Sequence, residues 1–176
     1  MILALNGSPR KGGNTDLLID QIFKGARQNN HECQKIYLYS QKISPCVDCR
    51  QCKQGDNQCP TKDDMPQLMQ LMAQADVLLF GTPIYWYGPT AKMKLLIDRL
   101  RPFIVTRGLA GKKGAIIVPS EEGPSICGPV VKMFEMSFQY LGMVNGGAFL
   151  AIAYEKGEIA RDPGEMRRAF EFGNRL

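Results

Sequence analysis

Four of the six cysteines in this 176-residue chain lie between Ser44 and Pro60. Their spacing is Cys46-x2-Cys49-x2-Cys52-x6-Cys59. Thiolates packed this closely in a reducing compartment point to metal or redox chemistry rather than disulfides. A C-x2-C-x2-C run can wrap one face of a cubane iron–sulfur cluster, with a fourth thiolate supplied from further along. Zinc also takes four cysteines, but usually as two separated C-x2-C pairs. Here Cys49 would belong to two overlapping pairs. A run of unligated thiols is the third reading.

A second group of residues could bind phosphate. "NGSPRKGGNTD", Asn6 to Asp16, combines Gly7, Gly12 and Gly13, whose missing side chains let backbone N–H groups approach a ligand closely, with Ser8, Asn14 and Thr15 as short side-chain donors. Arg10 and Lys11 add positive charge, and a helix beginning near Thr15 would add its positive end. The segment lacks both the Gly-Lys-Ser/Thr ending of a triphosphate loop and the G-x-G-x-x-G dinucleotide pattern, so a single phosphate monoester suits it best. A third segment, "GTPIYWYGP", Gly81 to Pro89, sets Tyr85, Trp86 and Tyr87 between Pro83 and Pro89. It offers a flat apolar wall and backbone groups for the polar edge of a planar ring. A fourth, "PSEEGPS", could close over that ring with Ser120, Gly123 and Ser125. Phosphate at one loop and a planar ring at the next describe a mononucleotide. FMN is the expected one, since its redox chemistry matches the thiols.

The elements that must position these loops alternate along the chain. Ile2–Leu5 reads as a strand, and Thr15–Arg27 as a helix with Leu17, Leu18, Ile22 and Phe23 on one face. "CQKIYLY" follows as a strand. Thr61-x-x-Asp64 with Pro66 marks a helix start. "DVLLFG" is a strand covered on both faces. Helix "TAKMKLLIDRL", strand "GAIIVPS", a helix over Cys127–Leu141, strand "GGAFLAI" and a closing helix in "DPGEMRRAFEFGNRL" complete the series. Five strand–helix units predict an α/β fold: a doubly wound five-stranded parallel sheet, order 2-1-3-4-5, with helices on both faces. No linker divides the chain, so residues 1–176 are expected to be a single domain with a cysteine-rich insertion at about 43–62. On that strand order the phosphate and aromatic segments flank the switch point where such sheets bind ligands.

Composition narrows the function classes. The net charge of +5 favours anionic partners, but the 22 basic residues are scattered among 17 acidic ones, with no basic stripe of the kind that binds nucleic acid. No apolar run is long enough to span a bilayer, and "MILALNGSPR" lacks the features of a secretory signal. A cytoplasmic protein is expected, with neither nucleic acid nor membrane as partner. His31, the single histidine, reads as exposed, which leaves no Ser-His-Asp or Cys-His arrangement. Cys33 and Cys127 read as packing residues, and Asp98 and Arg99 as members of ion pairs.

Taken together, "LNGSPRKGGNT", the cysteine run leading into "KDDM", "GTPIYWYGP" and "KLLIDR" resemble the flavodoxin-like NADPH-dependent FMN reductases. More narrowly, they resemble the iron–sulfur flavoproteins. The resemblance implies FMN held near a subunit interface of a homodimer or homotetramer, with a [4Fe–4S] cluster close by. It places phosphate contacts on Ser8, Arg10, Asn14 and Thr15, ring contacts on Pro83, Ile84, Tyr85 and Trp86, and cluster ligands on Cys46, Cys49, Cys52 and Cys59. The expected function is an FMN oxidoreductase whose cluster relays electrons between a one-electron donor such as ferredoxin and a two-electron acceptor. The alternatives are an NAD(P)H-dependent FMN or quinone reductase without a working cluster and a non-catalytic carrier of flavodoxin type.

Overall fold

Buried strands set the frame. β1 (Ile2–Asn6) and β3 (Val77–Gly81) are buried at every residue, as strands covered by helices on both faces must be. With β2 (Cys33–Tyr37), β6 (Lys113–Ser120) and β7 (Val144–Ile152) they form a parallel sheet in the order β2-β1-β3-β6-β7. This is the order expected of a flavodoxin-like doubly wound sheet. The computed structural model describes residues 1–54 and 57–176, so Gly55 and Asp56 of the expected cysteine-rich insertion lie outside the described residues.

Side-chain alternation along the strands divides the apolar interior in two. Leu3, Leu5, Leu78 and Phe80 face one core, closed by α2 (Met65–Gln74), α3 (Ala91–Asp98), α4 (Pro102–Thr106) and α5 (Gly128–Leu141). Ile2, Ala4, Val77 and Leu79 face the other, closed by α1 (Asn14–Ala26) and α6 (Pro163–Asn174). Phe80, Phe134 and Phe138 pack as a tilted trio in the first core, with centroids 5.3 to 5.8 Å apart.

Several boundaries differ from the sequence expectation, each for a local reason. The second strand stops at Tyr37, which pairs with Asn6, the last residue of β1. Leu38 therefore has no further ladder to join and turns inward, fully buried. Helix α2 starts at Met65 rather than at a Thr61 capping box. Its first amide is received by Asp63, whose Oδ1 accepts from Met65 N–H at 3.0 Å, while the Asp64 carboxylate accepts from Lys42 N–H. The aromatic segment contains a small hairpin, β4 (Ile84–Tyr85) with β5 (Gly88–Pro89), and α4 follows α3. Neither has a periodic apolar signal long enough to read from sequence.

Helices α1 and α6 meet backbone to backbone. A Cβ on Gly25 would overlap the Phe170 carbonyl oxygen, and one on Gly173 would overlap the Ile22 carbonyl oxygen. Backbone cannot swing aside as a side chain can, so any larger residue must force the helices apart. Gly173→Ala is expected to cost about 1–3 kcal/mol of stability, in the range of overpacked cores, measured as a lower urea midpoint. An unchanged midpoint would show that the two helices can separate freely.

Candidate functional site

A cavity of about 220 Å³ opens at the carboxyl end of the sheet. Ser8, Arg10, Asn14 and Thr15 line it from the β1–α1 turn, Pro83, Ile84 and Tyr85 from the segment after β3, and Ser120 from the end of β6. Eight of the sequence-derived positions thus share one cavity. Others, Gly13, Gly123, Ser125 and Trp86 among them, lie off its lining. Gly13 is the N-cap of α1. Gly123 sits behind Ser120, its carbonyl accepting from the Ser120 hydroxyl at 2.8 Å. Trp86 is 96 % exposed at the hairpin tip, where it and Tyr87 adopt positive φ of 51° and 61°. These values suit the tight two-residue turn that joins paired strands.

The β1–α1 turn is organised around its own polar groups. Ser8 N–H donates to Asn6 Oδ1 at 2.9 Å, Arg10 N–H to Ser8 Oγ at 3.2 Å, Gly12 N–H to Asp16 Oδ2 at 2.7 Å and Gly13 N–H to the Arg10 carbonyl at 3.0 Å. The first helical amide bond of α1 runs from Leu17 to Gly13, so the amides of Asn14, Thr15 and Asp16 precede any intrahelical acceptor. An anion placed there would receive those donors together with the positive end of the helix. Asn14 is committed elsewhere through its side chain: its amide donates to the Glu155 carbonyl at 2.8 Å, and its Oδ1 accepts from Ile159 N–H at 3.3 Å. Arg10 reaches the Tyr154 carbonyl at 3.3 Å.

Sequence reasoning passed over Glu121, Glu122, Tyr154 and Lys156, which complete the cavity rim. Their signal was positional. Each follows the carboxyl end of β6 or β7, where ligands of such sheets bind.

The cysteine run is the second candidate site. All six cysteines are free; Cys46 and Cys49 are exposed, Cys59 half-buried and Cys52 buried. Burial pushes the Cys52 thiol pKa up, and Cys59, Cys46 and Cys49 push it further, while Arg101 acts against them. Among the described residues, no three His, Cys, Asp or Glu side chains stand grouped for a metal ion. Two arginines flank the thiols. Arg101 pairs with Asp48 and also acts on Cys46. Arg99, 2 % exposed, pairs with the fully buried Asp63 at 2.7 Å, donates to the Ser44 carbonyl at 2.9 Å and acts on Cys59. Among the described residues its buried Nε has no acceptor. Asp98, which the sequence also suggests as an ion-pair member, bonds Lys94 one helical turn away.

Residues 1–156 match the model of a family described as NADPH-dependent FMN reductase. The chain belongs to that family. It is an FMN-binding oxidoreductase. It is 31% identical over 169 residues to YwqN of Bacillus subtilis (strain 168), a protein named as an NAD(P)H-dependent FMN-containing oxidoreductase; the alignment covers 92% of this chain and 90% of that one. It is 29% identical over 176 residues to a protein of Archaeoglobus fulgidus named "Iron-sulfur flavoprotein", with 97% of this chain and 76% of the other covered. Among solved structures, the Trp repressor binding protein from Bacillus subtilis superposes with a TM-score of 0.72 at 28% identity, covering 100% of this chain and 98% of that one.

The cavity fits the cofactor of the family. Its lining offers the Ser8 and Thr15 hydroxyls beside the leading amides of α1 and the apolar faces of Tyr85 and Ile84, and among the described residues no atom stands within 4 Å of where a Cβ on Gly12 would project. The thiol centre fits four-thiolate ligation in the number and type of its donors.

The Arg99–Asp63 pair holds both ends of the thiol segment. Burial alone would push the Asp63 carboxyl pKa up; the Arg99 guanidinium and the amides of Ser44 and Met65 outweigh it and hold the carboxyl below its ordinary range. Removing one partner leaves a buried charge alone, so Arg99→Met is expected to cost about 3–5 kcal/mol. Because Asp63 has a lowered pKa, its contribution is complete above the ordinary carboxyl value of about 3.9 and is lost as pH falls through the folded value. Urea denaturation at several pH values checks both points: the deficit of Arg99→Met should be full at pH 7 and shrink below about pH 4. A deficit independent of pH would remove the ion pair as its cause.

Proposed function

We propose that this chain, as a single domain, uses FMN at the sheet edge and a [4Fe–4S] cluster at Cys46, Cys49, Cys52 and Cys59 to pass electrons between a one-electron donor, such as ferredoxin, and a two-electron acceptor. The observation that carries this reading is the run Cys46-x2-Cys49-x2-Cys52-x6-Cys59, with Arg99 and Arg101 acting on its thiols. Two cations at a thiol quartet suit an anionic cluster. Ligation would draw the 46–59 segment inward from its present spacing. The name of the Archaeoglobus fulgidus relative supports the same assignment.

The division of labour follows from the residues. When bound, FMN exchanges electrons singly or in pairs and an iron–sulfur cluster exchanges them singly, so the two together would connect both kinds of partner. Ser8, Thr15 and the free amides of the α1 N-terminus would hold the phosphate. Tyr85, Pro83 and Ile84 would cover the ring, and Ser120 would bound its far side. Asn14 and Arg10 would keep the Tyr154–Ile159 segment against the cavity mouth. The exposed Trp86 and Tyr87 at the hairpin tip, with Tyr140 and Val144 elsewhere on the surface, would be covered in a homodimer or homotetramer. Free cysteines suit a reducing cytoplasm, and no helix among the described residues is long and apolar enough to cross a membrane.

A second reading keeps the FMN site but omits the cluster, leaving an NAD(P)H-dependent reductase of flavins or quinones. The present spacing of the thiols and the name of the Bacillus subtilis relative favour it. Iron, sulfide and FMN counted per chain in protein purified without oxygen separate the two. The relay predicts about four iron and four sulfide beside one FMN, with Cys49→Ser losing the iron and keeping the flavin. Iron-free protein that oxidises NADPH equally well with and without Cys49→Ser would overturn the relay and leave the second reading.

A further inference from the structure

We propose that Asp16 is a positioning residue of the flavin site: its carboxylate, without touching the ligand, holds the β1–α1 turn in the shape that receives the phosphate. The proposal rests on the reading of that turn as the phosphate-binding segment.

The observation is a buried carboxylate with more partners than its place in the helix requires. Asp16 lies in the first turn of α1, its side chain 6 % exposed, directly behind a segment expected to take an anion. Four donors from three elements converge on it. Gly12 N–H reaches Oδ2 at 2.7 Å from the turn itself, and Asn6 Nδ2 reaches Oδ1 at 3.2 Å from the end of β1. From β2, Lys35 Nζ lies 2.5 Å from Oδ1 and the Tyr37 hydroxyl lies 2.9 Å from both oxygens. Lys35 also pairs with Asp20 at 2.6 Å. A helix-capping role would need only the bond to a turn amide. It would not need a lysine and a tyrosine brought over from the neighbouring strand.

The network has a direction. Asn6 bridges it forward: its Nδ2 donates to Asp16, and its Oδ1 accepts from Ser8 N–H. Asp16 thereby fixes Gly12 directly and Ser8 through Asn6, the two ends of the Ser8–Gly12 curve. Gly12 has φ of 68°, a conformation open to glycine and held here by that single carboxylate bond. Lys35, shared with Asp20, offsets part of the charge that would otherwise repel a phosphate, and Tyr37 fills a remaining acceptor position. The turn is thus assembled before any ligand arrives, which lowers the ordering cost of binding.

The test compares FMN with riboflavin, which has the same ring and no phosphate. Dissociation constants are measured by flavin fluorescence quenching on the flavin-stripped full chain. Asp16→Ala is expected to weaken FMN at least about tenfold, the size of effect expected from lost hydrogen bonds to a charged group, while riboflavin stays within about twofold. Tyr37→Phe removes one donor and leaves the fold intact; it should weaken FMN by a few-fold, again sparing riboflavin. Asp16→Asn, which keeps an acceptor for Gly12, should recover part of the loss. Equal losses for FMN and riboflavin would reduce Asp16 to general support of the fold and overturn the proposal, as would unchanged FMN affinity in Asp16→Ala. Ser8→Ala and Thr15→Val serve as controls. If neither changes the preference for FMN over riboflavin, the phosphate reading of the turn fails and the proposal with it. If they do change it and Asp16→Ala does not, the proposal alone fails.

Discussion

The site depends on a hydrogen bond just past the end of two strands. Gly7 donates its N–H to the Gly81 carbonyl at 2.7 Å, extending the β1–β3 pairing to the point where both chains leave the sheet. Thr90 locks the exit. Its hydroxyl donates to the Gly7 carbonyl at 2.6 Å, and its N–H donates to Thr82 Oγ1 at 3.0 Å. The N-terminus of α3 is thereby drawn so close that a Cβ on Gly7 would stand 2.9 Å from the Cβ of Met93. The phosphate turn and the aromatic hairpin depart from a common, fully buried origin, and the cavity between them is a consequence of that origin.

How much of this could be read from the sequence varied with the range of the interaction involved. The parallel order followed from the alternation of elements, because a buried strand and a one-sided helix each leave a periodic apolar mark. Ser8, Thr15, Tyr85 and Ser120 could be placed at the cavity because they follow strands whose carboxyl ends must converge. Gly123 and Trp86 were placed by the same loops, but which way a turn residue faces is not set by its distance from a strand end. Trp86 sits at the tip of a hairpin only two residues long on each side, too short for any periodicity to reveal. The second strand was read two residues too long for a similar reason, since its limit is set by where β1 ends.

Long-range polar pairing was the least legible layer. Arg99 and Asp63 are 36 residues apart, and Lys35 is 19 residues from Asp16. Nothing local distinguishes these charges from those on the solvated surface. Asp98, next to Arg99, pairs within its own helix and stays half exposed. Only the packing of α3 against the start of α2 decides that one neighbour is buried and the other is not.

The two candidate centres solve one problem in the same way. An irregular segment cannot pair its own amides as a strand or helix does, and an unpaired buried amide is costly. Each segment therefore closes on a buried carboxylate. Asp16 accepts from Gly12 at the phosphate turn; Asp63 accepts from Ser44 and Met65 at the two ends of the thiol segment. A lone buried carboxylate would itself be unfavourable, so each is matched by a cation from another element, Lys35 from β2 and Arg99 at the end of α3. In both places the cation offsets charge on a buried carboxylate, Lys35 being shared between Asp16 and Asp20. The carboxylates fix the shape, the cations set the field, and the residues that would meet the ligands are left free of both tasks.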